Sequence, residues 1–175
     1  MTRFALAVAL LLLQEKTVDN PTYALWKDCK PGTWTKFKSV TESGSSKIET
    51  FTTYKLKELT AEKAVVTCLL KVGNTETPSE EVIPATMKVA GGMPAETPKD
   101  TKIEKKGEGD EELEIAGKKV KCHWIENVAD MNGVKSATKI WMSRDVPGGL
   151  VKQVSISKGP AESISTLSLQ DFKKE

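Results

Sequence analysis

Residues 47–59 read KIETFTTYKLKEL, and along this stretch the side chains alternate between two surfaces. Ile48, Tyr54 and Leu56 fall on one side with two threonines, whereas Phe51 falls on the other side with charged and polar residues. β-Branched and aromatic residues at a period of two are typical of a half-buried strand. The stretch therefore predicts a β-strand with one dry face.

The segments on either side repeat this pattern. Residues 33–41 (TWTKFKSVT) and 63–72 (KAVVTCLLKV) alternate in the same way, and short polar connections at 42–46 and 60–62 separate the three segments. Short, turn-forming connections join antiparallel neighbours. We therefore predict an antiparallel meander in which every second residue from Ala64 to Val72 faces inward.

The last third of the chain returns to the same rhythm. Its predicted strands are residues 112–116, 118–128, 137–143, 149–158 and 163–172. Between the two groups, residues 77–107 contain four prolines, which predicts an edge strand or a long loop, because proline cannot donate to a central ladder. Basic and acidic runs meet at Gly107 and Gly109, where we expect a solvated hairpin tip and no calcium site.

About eight or nine strands at spacings of roughly 8 to 12 residues indicate an all-β sandwich or an open or closed barrel. The chain has 175 residues, a usual length for one domain. Residues 21–28 are the one helical candidate, with one or two turns that direct Tyr23, Leu25 and Trp26 inward. The predicted class is all-β, or β-rich with one or two short helices.

The N-terminus predicts export. Residues 4–13 (FALAVALLLL) are an unbroken apolar run behind a short positive stretch, as in a secretory signal. As a helix the run spans about 15 Å, half of the roughly 30 Å hydrocarbon core. We expect a signal segment at 1–13, a polar spacer at 14–24 and a single β domain at 25–175. The predicted location is periplasmic or extracellular, with membrane contact only through an uncleaved signal.

Charge argues against a polyanionic partner. Lys and Arg total 26 against 24 Asp and Glu, so the net charge is only +2. The lysines alternate with acidic residues and threonines along the strands, which is typical of a solvated sheet face. We therefore expect no nucleic-acid partner.

The three cysteines, Cys29, Cys68 and Cys122, allow at most one internal disulfide. Cys68 and Cys122 both lie in apolar strand segments, where they can pair or stay unbonded as small buried side chains. The unbonded arrangement is favoured, because a disulfide needs a specific geometry.

Three motifs carry a resemblance to known proteins. They are KPGTW at 30–34, IAGKKVKCHW at 115–124 and IWMSRDVPGG at 140–149. Together they resemble small exported bacterial proteins of unknown function. More distantly, the chain is similar to lipoprotein-carrier-like proteins of the bacterial envelope, over most of its length after residue 25. The resemblance implies a curved antiparallel sheet forming a half-barrel or open barrel over an apolar hollow.

No catalytic or metal site is predicted. His123 is the only histidine, and its neighbour Cys122 should point to the opposite face of a strand, so the two cannot easily form a dyad. The cysteines, His123 and the methionines are too widely spaced for a typical metal site. The paired carboxylates Glu80-Glu81 and Glu111-Glu112 are expected at the surface. No cofactor is predicted.

The aromatic residues are the candidates for binding. Trp34, Phe51, Tyr54, Trp124 and Trp141 are core residues by default, and the alternative is that some line an apolar hollow. The predicted function is a non-enzymatic exported β-domain that binds a hydrophobic ligand or an envelope protein. The alternatives are a structural or interaction module with a filled core, and a metal-handling protein or an unrecognised enzyme.

Overall fold

The computed structural model describes residues 16–89, 101–131, 134–159 and 162–175, so the predicted signal at 1–13 lies outside the described residues. The described chain is built almost entirely of strands. They are β1 (Lys16–Asp19), β2 (Trp34–Ser43), β3 (Ser46–Leu59), β4 (Lys63–Val72), β5 (Thr75–Pro84), β6 (Thr86–Val89), β7 (Thr101–Ile115), β8 (Lys118–Met131), β9 (Val134–Met142), β10 (Leu150–Lys158) and β11 (Ser163–Lys173). One short helix, α1, covers Pro21–Ala24.

Nine strands form one antiparallel sheet in the order β5-β4-β3-β2-β11-β10-β9-β8-β7. β1 and β6 form a second, two-stranded sheet. The large sheet is open, with β5 and β7 at its edges, which confirms the all-β class and the open, curved sheet.

One contact shows how strongly the sheet curves. The ammonium group of Lys118, at the start of β8, donates a hydrogen bond to the carbonyl of Phe172 in β11 at 2.9 Å. Those strands are three steps apart in the sheet, about 14 Å if the sheet were flat. The sheet therefore bends so that the β7–β8 hairpin returns toward the end of β11.

The predicted meander is confirmed, because β2, β3 and β4 are antiparallel neighbours. The predicted inward row of β4 is only partly correct. Ala64 and Val66 are buried, but Leu70 and Val72 are exposed. Among the described residues, the segment around α1 packs near Ala64, and the far end of β4 stays exposed.

The region of Gly107 and Gly109 is not a hairpin tip, and the expectation is wrong there. Both glycines lie inside β7, which continues through a bulge between Lys105 and Gly107. A Cβ at Gly109 would lie 3.0 Å from the indole ring of Trp124. The glycines are therefore explained by the packing of this indole against the strand. The predicted edge strand in the proline-rich region is β5.

The spacer expected at 14–24 is structured from Lys16 onward. β1 pairs with β6, and the side chain of Asn20 accepts a hydrogen bond from the Thr22 amide at 3.0 Å, which caps α1. Trp26 is buried after α1, whereas Leu25, predicted to face inward, is 37% exposed. Among the described residues, no helix is long and apolar enough to cross a membrane.

Two groups of buried side chains form the core. The first contains Phe37, Val120, Cys122, Trp141, Val146, Val151 and Leu169. The second contains Trp26, Cys29, Leu56, Ala64, Val66 and Ile83. Tyr54 packs against both groups, so it connects the core of the central strands to the core beneath the α1 segment.

Candidate functional site

A mainly apolar pocket of about 190 Å³ lies between the large sheet and the segments that cover it. Its apolar walls come from Trp26, Phe37, Val66, Ile83, Pro147 and Leu150. Tyr54 and Glu81 also line it and bring a phenol and a carboxylate. We call this space the apolar pocket.

The floor of the apolar pocket is set by strand register. Tyr54 of β3 lies opposite Thr35 of β2, and Val66 of β4 lies opposite Glu81 of β5. Directly opposed residues share a face of the sheet. The period of two therefore brings side chains from four strands to one surface, and the ring of Phe37 meets that of Tyr54 edge-on at 6.1 Å.

The α1 segment covers one side of the apolar pocket. The Tyr23 hydroxyl donates to the carbonyl of Thr60 at 2.6 Å, and the Asn20 amide donates to the carbonyl of Ala85 at 2.9 Å. These bonds fix both ends of the helical turn to the loops beside β4 and β5. Trp26, three residues after Tyr23, is thereby held against the sheet.

The turn between β9 and β10 covers the other side. Gly148 and Gly149 both have φ of +74°, a left-handed conformation that favours glycine. The Gly148 amide donates to the carbonyl of Leu25 at 3.3 Å, which ties the turn to the α1 segment. The motif Val-Pro-Gly-Gly noted in the sequence therefore closes the apolar pocket with Pro147 and Leu150.

The phenol of Tyr54 is in an environment that favours its neutral form. Burial raises the pKa of Tyr54, and the nearby Cys68 thiol and Glu81 carboxylate raise it further. A neutral phenol can donate one hydrogen bond and accept others. Tyr54 and Glu81 therefore supply polar groups to a wall that is otherwise largely hydrocarbon.

The five aromatic residues proposed from the sequence do not form one site. Only Tyr54 lines the apolar pocket. Trp34 is next to Thr35 on β2 and therefore lies on the opposite face, as does Phe51, which is opposed to Lys38.

Trp124 and Trp141 are paired with each other across β8 and β9, far along the sheet. The ammonium group of Lys139 lies 3.8 Å from the Trp124 ring centre and 4.8 Å from that of Trp141. The Trp141 indole N–H donates to the carboxylate of Glu111. These contacts occupy the two rings with protein partners.

Sequence reasoning missed most of the pocket lining. Phe37 lies two residues after Thr35 on β2, so the period of two could have placed both side chains on the face that carries the pocket. Glu81 is exposed, as the sequence predicted, but it also lines the pocket, because it shares a face of β5 with Ile83, two residues along the strand. Trp26 is buried, as expected from residues 21–28, and Leu150 is the first residue of β10, but no local pattern shows that these two residues meet at one pocket.

His123 is exposed and lies in a cleft of about 610 Å³ that Lys121, Met142 and Arg144 also line. Its Nδ1 is 2.9 Å from a carboxylate oxygen of Asp110, the residue opposite on β7. Cys122 is opposed to Glu111 on the other face, so its thiol points away from the imidazole. The side chains of Cys122 and His123 thus point to opposite faces of β8, as predicted.

The cysteines are all free thiols. Cys68 lies on β4 and Cys122 on β8, with five strands between them in the sheet, so the disulfide left open by the sequence is not formed. Burial raises the pKa of both Cys29 and Cys122, which keeps these two thiols protonated to higher pH.

In comparisons with family models and with curated proteins, the chain finds no match.

Proposed function

We propose that this chain is a non-enzymatic binding domain that holds a small apolar ligand in the apolar pocket. The observation that carries the proposal is the pocket itself, whose apolar walls come from strands, the α1 segment and the β9–β10 turn. Concave, mostly apolar sites with a few convergent polar groups are the usual form of small-molecule sites.

The size of the apolar pocket limits the ligand. A cavity of about 150 Å³ lined by hydrocarbon takes up benzene, and drug-sized ligands need about 300 Å³ or more. At about 190 Å³, the apolar pocket suits one ring or a short acyl chain. A whole diacyl lipid exceeds that volume, so a lipid would be held only by part of its chain.

The proposal gives His123 no chemical role. Its contacts are with exposed carboxylates, Asp110 at 2.9 Å and Glu108 at 3.7 Å, and the neighbouring Cys122 faces away. Nucleophilic catalysis needs a nucleophile within hydrogen-bond reach of the base. A surface hydrogen bond with Asp110 that links β8 to β7 accounts for the position of His123.

The resemblance to carrier-like envelope proteins supports the same role outside the cytoplasm. We propose that residues 1–13 direct export and that the β domain then acts on a hydrophobic ligand or an envelope component. The test is to express the full chain in a bacterial host, fractionate the cells and measure the intact mass. Cytoplasmic protein that retains residues 1–13 would contradict this part of the proposal.

The binding role itself is tested by native mass spectrometry of the protein recovered from its own host. We expect a bound small molecule on the wild-type chain. Ile83→Phe places a larger side chain in the apolar pocket, so the bound small molecule should be absent from this variant. The matched control is Val82→Phe, because Val82 is the adjacent residue on the opposite face and is 56% exposed.

A filled-core interaction module predicts a different result. In that case no small molecule accompanies the wild-type chain, and a protein partner is recovered from an envelope fraction by both variants. Loss of the ligand from Val82→Phe as well would also contradict the assignment to the apolar pocket.

A further inference from the structure

The chemistry of the apolar pocket is asymmetric. Three aromatic rings line it, from Trp26, Phe37 and Tyr54, together with one carboxylate, Glu81. The described residues that line it include no lysine, arginine or histidine. The space therefore combines electron-rich ring surfaces with a single negative charge.

Glu81 differs from the other glutamates of its strand. Glu80 binds Lys57 at 2.6 Å and Glu76 binds Lys71 at 3.5 Å, each through an ion pair at the surface. Among the described residues Glu81 forms no ion pair, and it is on the face that carries the apolar pocket. Glu81 and Tyr54 line the same pocket, and the Glu81 charge contributes to the raised pKa of Tyr54.

Aromatic rings attract cations through their quadrupole, and a carboxylate adds direct Coulomb attraction. An ammonium group between these rings and Glu81 would complete an ion pair that the protein leaves unmade. An anionic ligand such as a fatty acid would instead meet repulsion from Glu81. A neutral ligand would cover the carboxylate without pairing it, which costs free energy.

We propose, building on the binding role above, that the ligand is an apolar cation, namely an amine or quaternary ammonium compound with one ring or a short chain. The ammonium group lies against Glu81 and Tyr54, and the hydrocarbon part lies against Val66, Ile83 and Leu150. The aromatic rings and Glu81 thus bind the positive charge of the ligand, and the aliphatic side chains contact its hydrocarbon part.

The test compares two ligands of the same shape. Benzyltrimethylammonium and neopentylbenzene differ only in a charged nitrogen in place of a carbon. Titration of the wild-type chain, followed by NMR, should give an affinity for the cation at least about fivefold higher than for the neutral compound. Glu81→Gln should remove this preference and keep the binding of neopentylbenzene, whereas Glu80→Gln should keep the preference.

The outcomes separate this inference from the proposed function. Equal affinity for the two ligands, or a preference that survives Glu81→Gln, would overturn the cation assignment and leave apolar binding in place. Failure of both ligands to bind the wild-type chain would overturn the binding role as well. Amide spectra of each variant establish that it is folded before the titration.

Discussion

At the scale of single residues, Gly109 shows how a strand glycine is fixed by its neighbour. A Cβ at this position would lie 3.0 Å from three atoms of the Trp124 indole, and the rigid ring cannot bend away. We expect Gly109→Ala to lower the free energy of unfolding by about 1–2 kcal/mol through overpacking. Urea denaturation measures the change.

The control for this prediction is Gly159→Ala. Its added Cβ would meet Val134 at 3.6 Å, an ordinary contact, so we expect a change of at most about 0.5 kcal/mol. Equal effects at Gly109 and Gly159 would show that the Trp124 ring does not restrict β7.

Tyr54 makes the stability of the folded chain depend on pH in the alkaline range. Its pKa is raised from the ordinary 10.0 by burial, and then by Cys68 and Glu81. The folded chain therefore holds the phenolic proton to higher pH than the unfolded chain. The stability from the neutral phenol is complete below pH 10.0 and is lost as the pH rises through the folded-state pKa.

We expect Tyr54→Phe to reduce this alkaline loss. Free energies of unfolding measured at several pH values above 10.0 should fall less steeply for the variant than for the wild type. Identical slopes would mean that Tyr54 ionises equally in the folded and unfolded chains.

For residues within strands, the sequence could predict which face of the sheet each side chain occupies. The opposite orientations of Tyr54 and Phe51 follow from a period of two within one strand. The burial of Trp26 agrees with the inward direction expected for residues 21–28, but its place against the sheet does not follow from a strand period. Its burial depends on hydrogen bonds at Asn20 and Tyr23 to loops more than 35 positions away.

At the scale of elements, the β9–β10 turn depends on two left-handed glycines. Gly149 has φ of +74°, and a Cβ there would lie 2.9 Å from the Leu25 side chain. Gly73, in the β4–β5 turn, has φ of +58° with open space around it. Both positions disfavour alanine through backbone strain, but only Gly149 adds a close contact.

We therefore expect Gly149→Ala to destabilise the chain more than Gly73→Ala, by about 1 kcal/mol, and to weaken ligand binding in the apolar pocket. Thermal denaturation and the native mass spectrum of the two variants measure these effects. Unchanged ligand binding by Gly149→Ala would show that the turn does not contribute to closing the pocket.

Hairpins were the elements that the sequence predicted best. Glycine at 44, 73 and 117 separates alternating segments, and each has a positive φ in a turn between paired strands. β7 was predicted poorly, because Gly107 and Gly109 resemble turn residues until the partner indole is known. A local pattern cannot show a ring that lies on another strand.

At the scale of the whole molecule, the pairing of β2 with β11 in the middle of the sheet joins its N-terminal half, β2 to β5, to its C-terminal half, β7 to β11. Ser165 lies opposite Thr41, 124 positions apart in the chain. No sequence period reports such a pairing, which is why the strand order was not predicted. The cover of the apolar pocket depends on this order, since it places the β9–β10 turn beside the meander.

Leu169 tests the role of β11 in that arrangement. It is 2% exposed and belongs to the same core group as Phe37 and Val151. We expect Leu169→Ala to lower the free energy of unfolding by about 2–5 kcal/mol. Ile164→Ala on the same strand is the control, since Ile164 is 39% exposed and should cost far less. Similar costs would argue against a core that spans the central strands.

The most direct test of the binding role is an amide NMR titration of the wild-type chain with toluene, which fits the volume of the apolar pocket. We expect saturable shift changes concentrated at Trp26, Val66 and Gly148, from three separate parts of the chain. Shifts concentrated instead at Trp124, or no saturable change at any residue, would contradict the binding role.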